Sequence, residues 1–597
     1  MQTGAENVTW NLGLLYEGLE DPKIHADIQA VEKKVAEFAA TYYGTLCTEE
    51  EATPERVSEA LKEYEAFFAL AAGVFEMAYL AFSQDTHDQQ AKIFLSRMQK
   101  KQADLMNQVL FVDLELTKLS EKAFRTLLQS DALQPYRHHL DKIGKKRTHL
   151  LTEKEEKLVN LKNLSGSEAH LKLYEELSSG FSFSFEVDGK TEAINQDQLL
   201  KLRHHPDSNI REKACAMAFQ NLKDHEVVVE NLFNAVMKDY ASEAELRGFS
   251  SPRSRRNLEN EVSDETVNTL IQVTSQNNTI VQEYYRLKTT IMGKNRLKLS
   301  DIYAPITPVR QRYFWDEAKA MIIETFEGFN PLFSQTAQSF FDERRIDARV
   351  HPTKRGGAFC AYVSPDKPVY VLTQYMGGLD CVLTLAHELG HGIHGTLSKK
   401  QTLLNYDTPL TMAEVASVFG EMLMVDALMK KMEGQELQSL ICNVLEGMFA
   451  TMHRQNMFSC FEQRVYEQLA KDYLPFESLS EIYWEEIQRV FGTSLDLNAE
   501  FRWEWAMVSH FLHTPFYVYA YNFAQLLVIA LYQRYLEMGD RFAPKFIELL
   551  ESGGSKSPQD LLNPLEIDLS DPDFWQGGFN YIRTHLLDRL KTTVPGA

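Results

Sequence analysis

The sequence has little of what a disulfide-bonded, nucleic-acid-binding or membrane-spanning protein requires. None of its six cysteines forms a C-x-x-C pair, and this scattered distribution fits reduced thiols better than a disulfide framework. Lysine and arginine total 62 against 84 acidic residues, and the net charge of −22 argues against the basic face that phosphate binding requires. The longest apolar run, at 523–531, is shorter than the roughly 20 residues that cross a bilayer.

The beginning of the sequence and its overall composition predict a cytoplasmic globular protein. The first ten residues, M-Q-T-G-A-E-N-V-T-W, lack a basic segment followed by an apolar one, so we expect no signal peptide. The shares of hydrophobic residues (44%) and charged residues (24%) are typical of globular proteins. A length of 597 residues exceeds that of one ordinary domain, so we expect two or more cores or lobes. No nucleic-acid or membrane partner is expected.

Helical periodicity dominates the chain. In the first 200 residues, apolar side chains recur at three- and four-residue spacing in the stretches 28–42, 54–82 and 89–116. Glycine and proline are sparse inside these stretches, which favours long packed helices. Helical patterns resume near residue 198 and continue, with breaks, to the end of the chain. The sequence therefore predicts a mainly α-helical protein.

Two short regions depart from this helical pattern. The segment F-S-F-S-F-E-V-D-G-K-T-E-A-I, at 181–194, alternates around Asp188-Gly189 and predicts a β-hairpin. A second β-prone region covers 347–350, 357–363 and 369–372. Its Gly357-Ala358 stretch is a candidate edge for holding an extended peptide through backbone hydrogen bonds. A structural hairpin packed under the following helix is an equally good interpretation.

The segment T-L-A-H-E-L-G-H-G-I-H, at 384–394, contains H-E-x-x-H. On a helix, His387 and His391 share one face and can bind one ion, while Glu388 lies beside that ion. At this position Glu388 can act as a general base that takes a proton from a water molecule bound to the ion. Chance produces such a pattern in roughly a few per cent of chains of this length. However, burying two histidines and a glutamate without a partner such as a metal is costly. The sequence therefore predicts a metal site.

The position of the third ligand distinguishes classes of zinc peptidase. A catalytic zinc ion takes three protein ligands and leaves one position open. In the H-E-x-x-H-x-x-G-x-x-H class, glycine and histidine stand where this chain has His394 and Leu397. His394 therefore occupies the glycine position of that motif. We expect the third ligand to be a carboxylate on a later helix.

The later segment T-M-A-E-V-A-S-V-F-G-E-M-L-M, at 411–424, offers two carboxylates seven residues apart. Glu414 is the better ligand because small neighbours allow close helix approach: Ala413, Ala416 and Ser417. Glu421, two turns further on, is suited to accept a hydrogen bond from a ligand imidazole. A solvated or salt-bridged carboxylate is an equally good interpretation of Glu421.

H-E-L-G-H-G-I-H, followed by E-V-A-S 27 residues after the first histidine, resembles the thimet oligopeptidase family, and within it the oligoendopeptidase F branch. Further similar segments are W-N-L-G-L-L-Y-E-G-L-E-D-P at 10–22, A-E-L-R-G-F-S-S-P-R at 244–253, R-G-G-A-F-C at 355–360 and H-F-L-H-T-P-F-Y-V-Y-A-Y at 510–521. The resemblance implies a two-lobed helical zincin with a deep central channel. We expect an N-terminal helical lobe at 1–197 and a catalytic domain at 198–597.

The resemblance also implies the site residues. One Zn²⁺ per chain would be bound by His387, His391 and Glu414, with Glu388 as the general base. Attack on a peptide carbonyl creates an oxyanion that requires further donors, and the resemblance implies that these come from three residues of the C-terminal region: His510, Tyr517 and Tyr521.

The sequence of this C-terminal segment does not determine which of its side chains share a helix face. On a helix, Tyr517 and Tyr521 share a face and Tyr519 points elsewhere, but Pro515 places a helix start close by. Tyr519 therefore stays a candidate for substrate binding, and His513 is an alternative to His510. Core aromatic residues around a buried histidine are the other interpretation of this segment.

The function implied is hydrolysis of internal bonds in short unfolded peptides, by a monomer or small homo-oligomer. A zinc carboxypeptidase or dipeptidyl carboxypeptidase is the alternative, and it needs a cation for the substrate's C-terminus, such as Arg355 or Arg502. A binding protein with structural zinc would need a fourth ligand, usually cysteine. The nearest cysteine, Cys381, lies nearly two helical turns before His387.

Overall fold

The chain is predominantly helical in a computed structural model that describes residues 2–187, 189–306 and 312–594. The mainly α fold class is confirmed. The chain divides into two compact units, each assembled from three separated stretches. The first comprises Met1–Arg147, Arg310–Lys430 and Arg534–Ile567, and the second Thr148–Val309, Lys431–Gln533 and Asp568–Ala597. The boundary expected near residue 198 falls inside the second unit, because local periodicity does not reveal which distant helices pack together.

The helices of the N-terminal half are α1 Pro22–Tyr42, α2 Pro54–Gln84, α3 Gln89–Val109, α4 Phe111–Leu116, α5 Glu121–Gln129, α6 Arg137–Arg147, α7 Glu153–Asn163, α8 Ser167–Ser179, α9 Gln196–Lys201, α10 Ser208–Asp224, α11 Glu226–Leu246, α12 Pro252–Glu259, α13 Asp264–Gln276 and α14 Asn278–Ile291. Those of the C-terminal half are α15 Trp315–Phe329, α16 Pro331–Asp342, α17 Leu379–Leu397, α18 Val415–Lys431, α19 Gly434–Thr451, α20 His453–Leu469, α21 Phe476–Phe491, α22 His510–His513, α23 Tyr519–Met538, α24 Phe542–Glu551, α25 Pro558–Leu562, α26 Pro572–Tyr581 and α27 Asp588–Lys591.

The predicted hairpin is present in the second unit. Strands β1 (Ser182–Val187) and β2 (Lys190–Asn195) pair antiparallel, with Ser182 opposite Asn195. Phe183 and Phe185 lie on the same face of β1 and are both buried. Asp188 of the predicted turn lies outside the described residues.

The predicted second β-region forms a three-stranded sheet in the first unit. Its strands are β3 (Ile346–Asp347), β4 (Phe359–Ala361) and β5 (Tyr370–Leu372), in the order β3-β5-β4. The central strand β5 is parallel to β3 and antiparallel to β4, and it is fully buried. Because β4 is an outer strand, its far edge has no strand partner within the described residues.

Helix α17 carries the H-E-x-x-H motif and is a core element of the first unit. Its apolar side chains are buried against β4, β5, α16 and α24. Gly377, with φ of +83°, ends the preceding loop, and the helix begins with Gly378 as its N-cap. The motif histidines are therefore fixed on a helix that is packed on several sides.

In the described part of the chain, α2 alone is long and apolar enough to cross a membrane. The finding rests on length and composition only. Its side chains Val57, Leu61 and Phe67 belong to the hydrophobic core that also includes residues of α1 and α5. Core helices of globular proteins pass the same test of length and composition.

Candidate metal centre

Three side chains converge where α17 passes the start of α18. The Nε2 atoms of His387 and His391 each lie 3.3 Å from Oε2 of Glu414. The potential ligand atoms of all three residues lie within 4.8 Å of one another. A tetrahedral zinc ion with bonds of about 2.0–2.1 Å has ligand-to-ligand edges of about 3.3–3.4 Å. Two nitrogens and one carboxylate oxygen at this spacing therefore fit a zinc ion.

The two helices can bring these ligands together because they touch backbone to backbone. A Cβ atom at Gly390 would lie only 2.4 Å from the carbonyl oxygen of Ala416 and 2.6 Å from Cα of Ser417. A Cβ atom at Gly420 would lie 3.2 Å from the carbonyl oxygen of Ala386. The small residues around Glu414 do permit the close approach that the sequence predicted.

Glu414 is held at the N-terminus of α18. Its carbonyl oxygen accepts a hydrogen bond from the backbone N–H of Val418, 3.1 Å away. The buried hydroxyl of Ser417 donates to Oε2 over 2.7 Å. Burial alone would raise the pKa of Glu414, but hydrogen bonds from His387 and His391 hold it well below its usual range. This role of Ser417 was not predicted, although a serine three residues after a glutamate at a helix start is a recognisable signal.

Two further groups orient the histidines. Oε2 of Glu421 lies 3.3 Å from Nδ1 of His387, so this imidazole has one carboxylate at each ring nitrogen. Burial disfavours charge on His387, yet the bonds to Glu414 and Glu421 raise its pKa to about 10. The hydroxyl of Tyr362 donates to the carbonyl oxygen of His391 over 2.8 Å and fixes α17 locally. Nothing in the sequence pattern indicated Tyr362.

Glu388 has the environment of a proton acceptor. It is 5% exposed, and its Oε2 has no hydrogen-bond partner in the described part of the chain. Burial raises its pKa, while His387 and His391 act in the opposite direction. A buried carboxylate oxygen without a donor is costly, and a proton or a water molecule relieves that cost.

His394 is not part of this group. It is fully buried, and neither ring nitrogen has a hydrogen-bond partner in the described ranges. Burial, with a smaller contribution from His391, lowers its pKa to about 3. The side chain is a neutral core residue.

A cavity of about 560 Å³ opens beside the ligands. Its walls include His387, Glu388 and His391, together with Ala358, Phe359, Cys360, Tyr362, Asp407, Thr408, Ala413 and Glu414. Gly357 adopts φ of +81°, and Ala358 after it leads into the outer strand β4. The structure thus brings Ala358, which follows Gly357 in the chain, to the same cavity as the three ligands. The guanidinium of Arg355 lies over the rings of Tyr79 and Phe359.

A second cluster lies in the second unit. Nε2 of His510 is 3.2 Å from the hydroxyl oxygen of Tyr521. The ring of Tyr517 is parallel to that of His510, with centroids 6.1 Å apart, and lies 5.1 Å from the ring of Tyr521. Burial, with a smaller effect of His513, lowers the pKa of His510. The three predicted donors are therefore mutual neighbours.

A strained turn, and not a helix face, brings the two tyrosines together. Helix α23 begins only at Tyr519, so Tyr517 precedes the helix that carries Tyr521, and the shared helix face left open by the sequence does not apply. Phe516 has φ of +58°, unusual for a residue with a side chain. The carboxylate of Glu462 accepts its N–H over 2.7 Å, and Arg256 donates to the carbonyl oxygen of Pro515 over 3.1 Å.

The remaining candidates of this region have structural partners. Tyr519 is 1% exposed, and its hydroxyl accepts a hydrogen bond from Asn260 over 2.8 Å. A side chain buried there has no surface to offer a peptide, so the structure does not support Tyr519 as a substrate-binding residue. His513 contacts Glu175 at 3.1 Å, and Arg502 pairs with Glu477 at 3.4 Å.

A largely helical fold with H-E-x-x-H on a buried helix, and a glutamate directly before the next long helix at ligand distance, is that of a metallopeptidase. Comparison with known families agrees. The sequence model of peptidase family M3 matches residues 201–581, and a second one, described as Oligopeptidase F, matches residues 115–183. The chain belongs to peptidase family M3, and the resemblance to its oligoendopeptidase F branch is confirmed.

Relatives match over nearly the whole chain. The oligoendopeptidase F homolog of Lactococcus lactis subsp. lactis is 23% identical over 99% of this chain and 98% of its own. Oligopeptidase PepF of Bacillus subtilis is 22% identical over 95% and 84%. Among crystal structures, a Chlamydophila abortus peptidase is 22% identical, with a TM-score of 0.88 over 98% of both chains. Oligoendopeptidase-F of Enterococcus faecium is 18% identical, with a TM-score of 0.68 over 96% and 98%. At these identities the structures show a shared fold.

Proposed function

We propose that this metallopeptidase cleaves internal bonds of short unfolded peptides, using one zinc ion held by His387, His391 and Glu414. The observation that carries the proposal is the 3.3 Å spacing of their ligand atoms. Beside them lies the buried carboxylate of Glu388, whose Oε2 has no hydrogen-bond partner in the described part of the chain. Bound zinc would act as a Lewis acid toward the scissile carbonyl and the attacking water.

In this proposal Glu388 moves the proton. Its carboxylate takes a proton from the attacking water and then donates it to the leaving amine. Burial makes the charged form of Glu388 less favourable and so raises its affinity for the proton it must carry. Glu421 holds the imidazole of His387 in position through its Nδ1 atom.

The negative charge that develops on the carbonyl oxygen needs hydrogen-bond donors. We assign this role to His510, Tyr517 and Tyr521, as the family resemblance implies. The proposal is supported by the chemistry of the groups, since a phenol is a good neutral donor. It is also supported by their mutual contacts and by the lowered pKa of His510, which favours a neutral ring at pH 7.

Backbone recognition would account for cleavage of varied sequences. The outer edge of β4, with Gly357 and Ala358 before it, can pair with an extended peptide through main-chain hydrogen bonds. A peptide must be extended to use such an edge, which favours short unfolded substrates over folded proteins. The free thiols fit a cytoplasmic location, and a monomer or small homo-oligomer stays the expected assembly.

The test compares wild-type protein with Glu388→Gln, which keeps the side-chain shape but removes the base. Each is given unstructured peptides of graded length, with free or amidated C-termini, and the products are mapped by mass spectrometry. We expect internal cleavage by the wild type regardless of amidation, and a loss of at least 10²–10⁴-fold in the variant. Zinc content should stay at one ion per chain in both proteins.

Three results would contradict the proposal in different ways. Stepwise release that requires a free C-terminus would identify a carboxypeptidase. Retained activity in Glu388→Gln would remove Glu388 from the mechanism. Wild-type protein that binds no zinc, or cleaves nothing when loaded with it, would exclude the zinc peptidase function itself.

A further inference from the structure

One wall of the cavity beside the metal ligands carries a carboxylate that the proposed reaction does not use. Asp407 lies in the loop between α17 and α18 and lines the cavity together with Glu388 and Glu414. Its side chain is exposed to the cavity, and within the described ranges it forms no hydrogen bond or ion pair. The surrounding protein nevertheless raises its pKa, and Lys142 is the cation that acts in the opposite direction.

A second carboxylate, that of Glu76, interacts with the charge of Asp407. Glu76 projects from α2, is half-buried, and has no hydrogen bond or ion pair in the part of the chain that the structure describes. Burial, with repulsion from Asp407, raises its pKa to about 7. Two neighbouring carboxylates disfavour each other's ionisation unless a cation joins them.

The charges that line the same cavity also bear on what it can hold. Glu388, more than nine-tenths buried, lines this cavity with an oxygen that has no hydrogen-bond partner. None of the described residues that line the cavity is lysine or arginine. With both histidines neutral as metal ligands, the charge of a bound Zn²⁺ would be offset by Glu388 and Glu414, and the remaining charge of the lining would be that of Asp407. The protein walls of a concave site screen such a charge poorly. The cavity therefore favours a positively charged occupant.

We propose that this cavity is a subsite for a positively charged group of the peptide substrate, held by Asp407 and supported by the charge of Glu76. The inference rests on the proposed peptidase function. A cavity of about 560 Å³ has room for a long side chain, and it adjoins both the metal ligands and the edge of β4. A lysine or arginine near the cleaved bond would place its charge against Asp407, as would the ammonium group of a short peptide's N-terminus.

The experiment uses one parent peptide with matched substitutions at each position around the cleaved bond. Lysine is compared with norleucine and arginine with citrulline, since each pair differs mainly in charge. Every peptide is made with a free and with an acetylated N-terminus, so that side-chain and N-terminal recognition are separated. We measure kcat/KM for the zinc-loaded wild type, Asp407→Asn and Glu76→Gln. Asp342→Asn serves as the control, because it removes one charge from the exposed end of α16.

For the wild type we expect kcat/KM to be roughly tenfold higher for the charged member of a pair at one position, the size of one charge-assisted contact. Asp407→Asn should bring this ratio close to one, and Glu76→Gln should lower it partly. Asp342→Asn should leave it unchanged. Asp407→Lys should reverse the preference, so that a glutamate peptide is cleaved faster than its glutamine counterpart. A preference abolished by acetylation would assign the subsite to the N-terminal ammonium.

Equal kcat/KM for charged and neutral members at every position, with cleavage retained, would overturn the subsite and leave the peptidase function standing. A preference that survives in both Asp407→Asn and Glu76→Gln would also overturn it. Peptide binding to Glu388→Gln, measured by fluorescence anisotropy, keeps the two proposals separate. A charge preference in binding without any cleavage by the wild type would support the subsite and exclude the peptidase function.

Discussion

The metal ligands and the His510 cluster are positioned by different structural means. In the first unit, α17 and α18 touch backbone to backbone at Gly390, and three ligand atoms follow from the register of these two helices. In the second unit, Tyr517 precedes α23 and reaches His510 through a turn in which Phe516 adopts φ of +58°. One site depends on close helix packing, and the other on a strained turn that its neighbours hold in place.

This difference predicts separable effects of mutation. A change in the contact between α17 and α18 moves a ligand and should be measured first as lost zinc affinity. A change in the turn or its tyrosines leaves the ligands in place and should lower kcat at constant zinc content. The four predictions below test this separation.

The largest effect is expected from Tyr521→Phe, which removes the hydroxyl next to His510 and leaves the ring. Loss of one oxyanion donor lowers kcat by roughly 10²–10³-fold, while zinc content should stay at one ion per chain. Steady-state kinetics and metal analysis give both quantities. Tyr519→Phe is the matched control, since it removes a hydroxyl that accepts a hydrogen bond from Asn260 in the core. Similar losses of kcat in both variants would show that the hydroxyl of Tyr521 has no special role.

Gly390→Ala should affect the metal ligands, because it lies in the contact between α17 and α18. Its new Cβ would lie 2.4 Å from the carbonyl oxygen of Ala416, so the two helices must separate. Overpacking of this kind costs about 1–3 kcal/mol of stability, and we expect zinc affinity to fall with it. Gly447→Ala in α19 is the control, because nothing lies within 4 Å of a Cβ there. Thermal unfolding and zinc competition titrations measure both effects, and unchanged zinc affinity would contradict the packing argument.

The same contrast explains which site residues could be predicted from the sequence. His387, Glu388 and His391 lie on one helix, where a period of 3.6 residues fixes their directions. Glu414 could be predicted as the third ligand because the small residues around it indicate a close helix contact. The arrangement of Tyr517 could not be predicted, since a positive φ at Phe516 depends on distant partners and not on local preference.

Hydrophobic periodicity also could not predict which distant parts of the chain pack together. Helical spacing predicted the elements, and the turn and strand signals predicted the hairpin and the small sheet. However, each compact unit combines stretches hundreds of residues apart, and only tertiary packing selects them. The burial of Tyr519 follows from its contact with Asn260, about 260 residues earlier. Asp407 in the cavity wall and Glu76, whose pKa it raises, are also far apart in sequence.

Ser417→Ala tests the orientation of a ligand without moving the helices. The hydroxyl donates to Oε2 of Glu414 over 2.7 Å, and loss of such a supporting bond lowers metal affinity by roughly 10–100-fold. We expect a loss near the lower limit, because Glu414 keeps its place at the start of α18. Ser459→Ala removes a comparable buried helix hydroxyl from the second unit and should leave zinc affinity unchanged. Equal effects of both substitutions would exclude a specific role for Ser417.

The smallest effect is expected from substitutions of Glu462, which supports the turn at Phe516. Glu462 is buried and accepts the N–H of Phe516, and burial raises its pKa from 4.5 to about 8, although that N–H, Arg256 and Arg253 oppose the shift. The folded protein therefore keeps a proton that the unfolded chain releases above about pH 4.5. The resulting stabilisation is complete below that pH and is lost as the pH rises through about 8.

Glu462→Gln keeps an acceptor for Phe516 but cannot ionise, so it should lose less stability than the wild type between pH 5 and pH 9. We expect melting temperatures that nearly agree at pH 5 and a variant that is more stable by roughly 1–2 °C at pH 9. Glu462→Leu removes the acceptor and leaves a buried N–H unpaired, so it should be less stable at both values. Because the turn positions Tyr517, only Glu462→Leu should also lower kcat, again at constant zinc content. A difference between wild type and Glu462→Gln that does not change with pH would show that Glu462 is ionised in the folded protein throughout this range.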